Sequence, residues 1–307
     1  MTDINTVLAR RKFLAQALAI GASGAAVALL PNQLIAAITN SNEAGNPMKK
    51  RVFITGSSTG LGQMTAALLV EQGHSVVLHG RSTARAQDAL NAVPGAIAAL
   101  HGDFESMEQI RDLARQANGL GSFDAIIHNA GLGDEETKRV LTVDGLPRLF
   151  SINVLAPYML TALIQPPQRL IYISSSMQMS ADGDSALDDP LWERRRWNGS
   201  SAYSESKLLL SMLAFNVAQS PRKILCNTVD PGWVPTRMGG PGASDDLYQG
   251  HLTQAWLAVS DAPSALGTGN TFYHMKKKTT NPDANDVGKQ RRLIELCGHL
   301  SGTPFSL

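Results

Sequence analysis

A chain of 307 residues that is 43% hydrophobic is long enough for one large domain or two small ones, with a sizeable core. Its 27 Lys and Arg nearly balance 26 Asp and Glu, leaving a formal charge of +1; no global field invites nucleic acid or an anionic membrane, so small-molecule partners are expected. The two cysteines, Cys226 and Cys297, have neither zinc-ligand spacing nor the density of a disulfide framework, and the seven histidines show no H-x-x-H or H-E-x-x-H pattern, so no metal site is predicted.

The first element is an N-terminal stretch, "ARRKFLAQALAIGASGAAVALLP", with Arg10 and Arg11 followed by Phe13 and Leu14 and then no charge from Ala15 to Leu30. As a helix those uncharged residues reach roughly 24 Å, short of the roughly 30 Å hydrocarbon core, which favours a signal h-region over a stable membrane span. The pattern resembles a bacterial twin-arginine (Tat) export signal over residues 1–37, with processing near Ala36 or Ala37, and implies a periplasmic protein. The alternative is a cytoplasmic protein carrying an extra amphipathic helix, or one that starts at Met48. Residues 38–48, containing "TNSNEAGNP", are polar and aperiodic and read as a linker.

From Lys49 onward short apolar runs alternate with longer amphipathic ones. "RVFIT" leads to a helix pattern over 60–72, "HSVVLHG" to 84–92, "AIAALHG" to 107–116, "DAIIHNAG" to 149–163 and "RLIYISSS" to 203–218, before "ILCNTVDPG" and "NTFYHM". Strand-length runs separated by helix-length ones predict one α/β domain over 49–307, a doubly wound, mostly parallel sheet of about seven strands flanked by helices.

The first strand runs into "TGSSTGLG", with Gly56, Gly60 and Gly62 between strand and helix. Glycines there allow a tight turn and a close backbone approach to a pyrophosphate, which the free N–H groups of the following helix attract. Further on, "YSESK" sets Tyr203 and Lys207 four residues apart, on one face of a helix, where an ammonium can favour the phenolate.

The TGxxxGxG spacing resembles the short-chain dehydrogenase/reductase family, a Rossmann fold, and the likeness extends along the chain after residue 49. It implies a cofactor site of Gly56, Ser58, Thr59, Gly60, Leu61 and Gly62 at the turn. In that family an acid at the end of the second strand receives the ribose of NAD; here Gly80 stands there, followed by Arg81 and Ser82, whose donors suit a phosphate, so NADP(H) is expected. Asp103 and Phe104 match the pair beside the adenine. Asn129, Ala130 and Gly131 match the NNAG element, with Asn129 equally suited to holding neighbouring strands together. Pro231, Gly232, Val234 and Thr236 match the stretch beside the nicotinamide.

The resemblance also implies four catalytic residues: Ser175, between Ser174 and Ser176, to stabilise the substrate oxygen; Tyr203 as general acid/base; Lys207 to lower its pKa and hold the ribose; and Asn153 to order a proton-relay water. The stretch from Met238 to Gln249 is expected to be a mobile lid. The insertion "DDPLWERRRWNGSSA" resembles that of retinol-dehydrogenase-like members, often active on apolar aldehydes or ketones; its three arginines read as a solvated run paired with Asp188, Asp189 and Glu193. "HMKKKTT" reads as an exposed basic turn. A homodimer through the helices of Asn153 and Tyr203 is possible in such a fold, and the competing function is a non-catalytic NADP-binding sensor or scaffold.

Overall fold

The computed structural model describes residues 48–306; the signal-like segment and all but the last residue of the linker lie outside the described residues. The strands are β1 (Arg51–Ile54), β2 (Ser75–Gly80), β3 (Ala98–His101), β4 (Ala125–His128), β5 (Arg169–Ile173), β6 (Leu225–Val229), β7 (Asn270–Tyr273) and β8 (Lys276–Lys278). They form one sheet in the order β3-β2-β1-β4-β5-β6-β7-β8, parallel from β3 through β7, with β8 antiparallel to β7. The order reverses between β1 and β4, and ligands of such sheets bind beyond the carboxyl ends of the strands at that point.

The helices are α1 (Gly60–Glu71), α2 (Thr83–Ala92), α3 (Met107–Gly119), α4, which runs as Arg148–Phe150, a π-turn over Ser151–Leu155 and then Ala156–Leu163, α5 (Gly183–Asp188), α6 (Gly199–Ala218), α7 (Gln249–Val259) and α8 (Val287–Ser301). Period-two alternation sorts the strand residues between two cores. Phe53, Val77, Ile126 and Tyr172 face α3, α4 and α6, while Val52, Ile54, Val76 and Ile127 face α1 and α7. None of the described helices is long and apolar enough to cross a membrane.

Two features add to the sequence reading. The sheet, expected to have about seven strands, has eight, and the stretch read as a basic turn is corrected to strand β8. His274 and Met275, at φ 47° and 59°, make the tight turn between β7 and β8, whose positive angles match the twist of the flanking strands. Three consecutive lysines carry no apolar alternation, and as an exposed edge strand they oppose pairing with another sheet.

The second feature is the covering of α6. Its residues from Ala202 to Phe215 are all buried, covered by α5, the 3₁₀ turn Pro282–Asn285 and α8. The C-terminal tail also closes over α3 and α4: Tyr158 donates to the Thr303 carbonyl at 2.9 Å and stacks on Phe305, and Arg111 donates to the Ser301 carbonyl. The chain's own C-terminal segment thus covers part of the surface of the helices that carry Asn153 and Tyr203.

Candidate active site

The glycine turn is built by close contact. Gly56 sits at φ +63°, and a Cβ on it would lie 2.7 Å from the Ala130 Cα; a Cβ on Gly62 would run into the Asn129 amide. Asn129 Nδ2 donates to the carbonyls of Thr55 and Gly56 at 2.9 and 3.1 Å, so this side chain braces the turn against β4, the structural one of its two expected roles. The Thr59 side chain makes no cap to α1, and no acid lies in the first turn. The N–H groups of this end are thus open to an anion beside Ser58, Thr59, Gly60 and Leu61.

At the end of β2, Arg81 and Ser82 are exposed. Ser82 caps α2 by accepting from the Arg85 N–H, and Arg81 makes no ion pair among the described residues. The Asp103 carboxylate accepts from the Glu105 N–H at 3.0 Å. Phe104, expected beside an adenine, is buried and stacks on His79 at 4.9 Å between centroids. His79 escaped the sequence reading, although it is an imidazole inside an otherwise apolar strand. Its Nδ1 accepts from the Gly56 N–H and its Nε2 meets the Gly102 carbonyl, both at 2.9 Å.

The three serines after β5 separate cleanly. Ser174 is buried, donating to the Lys207 carbonyl and sharing a hydrogen bond with Ser211, so it fastens α6 to the sheet. Ser176 is exposed. Ser175 caps the following 3₁₀ turn through the Met177 N–H, and its hydroxyl also bears on the phenol of Tyr203. Of the three serines, Ser175 is the one whose hydroxyl bears on Tyr203.

Tyr203 and Lys207 lie on one face of α6, with the Lys207 Nζ 5.5 Å from the Tyr203 ring centroid. Burial pushes the Tyr203 phenol up to about 12, and hydrogen bonding with Ser175 only partly opposes it. Lys207 is itself lowered to about 8 by burial, and its ammonium donates to the Ile173 carbonyl at 2.8 Å. The expected lowering of the tyrosine by the lysine is therefore not a property of these side chains alone. Asn153, in the π-turn of α4, accepts from the Leu132 N–H at 2.8 Å and donates to the Leu132 carbonyl and the Ser206 hydroxyl, tying the post-β4 loop to α6. A Cβ on Gly131 would lie 3.2 Å from Asn153 Oδ1 and 3.4 Å from Lys207 Nζ, so this glycine keeps a cradle open between them.

The sequence model of the short chain dehydrogenase family matches residues 50–178. An uncharacterised oxidoreductase of Emericella nidulans is 40% identical over 258 residues, 82% of this chain and 97% of that protein. The short-chain dehydrogenase chyC of Penicillium rubens is 37% identical over the same shares of the two chains. This chain is a short-chain dehydrogenase. Among solved structures, an uncharacterised protein from Mycobacterium paratuberculosis superposes with a TM-score of 0.72 at 25% identity, covering 84% of this chain and 95% of that one.

As a member of this family the chain is an oxidoreductase that binds a nicotinamide cofactor and acts on a small molecule. Its residues fit that group: the uncapped α1 N-terminus suits a pyrophosphate, and the cradle at Gly131 lies where Lys207 and Asn153 converge. The short-chain dehydrogenase's PG turn is fixed from below. Buried Asp230 accepts from the Gly232 N–H at 3.0 Å and pairs with Lys278 of β8 at 2.6 Å. Val234 and Leu61 converge on Gly250, and the Thr236 methyl faces Gly60, so this stretch overlies the glycine turn.

The segment expected to be a lid is tied down at several points. Trp233 donates from Nε1 to the Gly239 carbonyl and from its backbone to Asp245, and α7 begins at Gln249. Of the arginine run, Arg195 alone makes an ion pair among the described residues, and not only with the expected carboxylates, while Arg194 donates to the Asp188 carbonyl. Arg195 stacks over Trp192 at 4.0 Å, bonds Asp189, and makes a bidentate pair with Glu205 of α6 at 2.7 and 2.9 Å. Trp192 in turn packs with Leu149 and Ala202 around Tyr203. No local pattern marks Glu205, between Tyr203 and Lys207, as the partner.

Proposed function

We propose that this short-chain dehydrogenase is an NADP(H)-dependent enzyme that reduces a carbonyl to an alcohol or runs the reverse. The chain of contacts that runs from Asn153 Oδ1 and Lys207 Nζ beside Gly131, through Lys207 to the Tyr203 ring and from the Tyr203 phenol to the Ser175 hydroxyl, carries the reading. A bound nicotinamide supplies or takes the hydride. Tyr203, its phenol pushed up to about 12 by burial, is protonated and suited to donate its proton to a developing alkoxide in reduction and to take it back in the reverse. The Ser175 hydroxyl is placed to hydrogen-bond the same oxygen. Lys207, with three N–H donors and one spent on the Ile173 carbonyl, retains two for a ribose, and Asn153 Oδ1 keeps a lone pair for a relay water. The preference for NADP(H) rests on exposed, unpaired Arg81 beside Ser82, with no carboxylate at Gly80.

The insertion and the wall that Trp192 forms beside Tyr203 support an apolar aldehyde or ketone, as in retinol-dehydrogenase-like members. Residues 1–37 support twin-arginine export to the periplasm, where no NADPH pool recharges an enzyme. Such a protein must retain its nucleotide and cycle between donor and acceptor substrates, so slow nucleotide exchange accompanies export in this reading, and rapid exchange from an exported protein would rule the cycle out.

The test follows NADPH absorbance with purified protein against aldehydes and ketones, with Tyr203→Phe alongside. Turnover that vanishes in the variant supports the reductase, whereas unchanged turnover overturns it. Nucleotide binding without turnover of any carbonyl points instead to a non-catalytic sensor.

A further inference from the structure

His79 is buried and uses every polar atom it has. Its backbone N–H donates to the Ser57 hydroxyl at 2.8 Å, its carbonyl accepts from the Ser57 N–H at 3.1 Å, and its Nδ1 accepts from the Gly56 N–H at 2.9 Å. Because Nδ1 accepts, the ring proton sits on Nε2, which donates to the Gly102 carbonyl at 2.9 Å. The ring face stacks on Phe104, two residues further on, at an interplanar angle of 14°. Burial lowers its pKa to about 4, so the ring is neutral and this tautomer persists at neutral pH.

One imidazole therefore spans two separate stretches of chain. On one side is the glycine turn, packed so closely against Ala130 that a Cβ on Gly56 would lie 2.7 Å from the Ala130 Cα. On the other is the loop Gly102–Phe104 that follows β3. We propose that His79 is a positioning residue for the dinucleotide, setting the glycine turn that receives the pyrophosphate at a fixed distance from the loop that flanks the adenine. The inference rests on the dinucleotide reading of this cleft. An apolar residue of similar size would fill the same space in the strand but leave the Gly56 N–H and Gly102 carbonyl without partners, and the N–H would then be free to turn the peptide toward another acceptor.

Two variants split the ring's two bonds. In His79→Asn the amide oxygen can occupy the position of Nδ1 and keep the Gly56 N–H, losing the Gly102 bond. In His79→Gln the amide nitrogen can occupy the position of Nε2 and keep the Gly102 carbonyl, losing the Gly56 bond. Each loses one hydrogen bond of a buried pair, so a purely structural role predicts similar falls in melting temperature and equal effects on binding.

Positioning predicts asymmetry: NADPH dissociation constants, measured by fluorescence titration of the full chain, rise about tenfold in His79→Gln and less than threefold in His79→Asn. In both, kcat at saturating NADPH stays near that of the unaltered chain. Equal weakening in step with melting temperature, or no weakening in either, overturns the role of His79 while the dinucleotide reading stands. An unaltered chain that binds neither NADPH nor NADH overturns that reading, and the proposal with it.

Discussion

Lys207 offers a sharp test because its catalytic value and its structural cost have opposite signs. Its ammonium is buried and makes one hydrogen bond, to the Ile173 carbonyl, and burial lowers its pKa from 10.5 to about 8. Above pH 10.5 the amine is neutral in both folded and unfolded chains and costs nothing by charging. As pH falls from 10.5 towards 8, the unfolded chain takes up the proton and the folded one does not, so stability is lost. Below 8 the deficit levels off at about 3 kcal/mol. Lys207→Met removes this deficit but orphans the Ile173 carbonyl, which costs about 1–2 kcal/mol. The variant, inactive in turnover, is therefore expected to gain about 1–2 kcal/mol at pH 7, or about 3–6 °C in melting temperature for a domain of this size. By pH 10.5 the order reverses, since only the lost hydrogen bond remains. Thermal unfolding by circular dichroism, without added nucleotide, from pH 7 to 10.5 gives the answer. Two curves running parallel, or a variant already less stable at pH 7, would refute the reasoning.

Glu205→Gln replaces one half of the bidentate pair with Arg195 and leaves Asp189 as that arginine's remaining anionic partner. Because Arg195 is 31% exposed, solvent screens part of the loss, and the expected destabilisation is about 1–2 kcal/mol, read as a fall of about 3–6 °C in melting temperature. Turnover should fall with it, since the pair pins the back of the helix carrying Tyr203. Light scattering of the purified chain should return no dimer that buries α4 and α6; removing the residues after Gly302 should expose Tyr158 and raise self-association, measured on the same instrument.

The fold was legible because parallel strands covered on both faces must be short apolar runs, and six such runs ahead of "NTFYHM" leave few topologies. The Tyr203 and Lys207 pair was legible for a different reason: helix geometry puts i and i+4 on one face, whatever the neighbours do. What the sequence could not resolve were choices made by tertiary contact. Ser174, Ser175 and Ser176 are chemically identical, and only the packing of α6 shows that Ser174 is spent on the Lys207 carbonyl. Strand β8 hid because Lys276–Lys278 has no hydrophobic pattern; it pairs through the backbone, by virtue of the turn at His274 and Met275. Nor does spacing say anything about desolvation, which burial of the whole helix makes the leading influence on the Tyr203 phenol in these side chains alone. His79 was visible as an anomaly, a ring with two nitrogens in the run Val76, Val77, Leu78, but its partners lie in two loops that no local pattern connects.

The C-terminal closure over α3, α4 and α6 also has a temporal side. Arg111 waits for the Ser301 carbonyl and Tyr158 for that of Thr303, partners 190 and 145 residues downstream. Contacts of such long sequence separation form late. During synthesis the helix bearing Tyr203 and Lys207 emerges well before α8, which must cover it, so one side of that helix stays wet until α8 has been made. A premature stop or a proteolytic clip after α7 would delete none of the proposed catalytic residues and still leave their scaffold open to solvent.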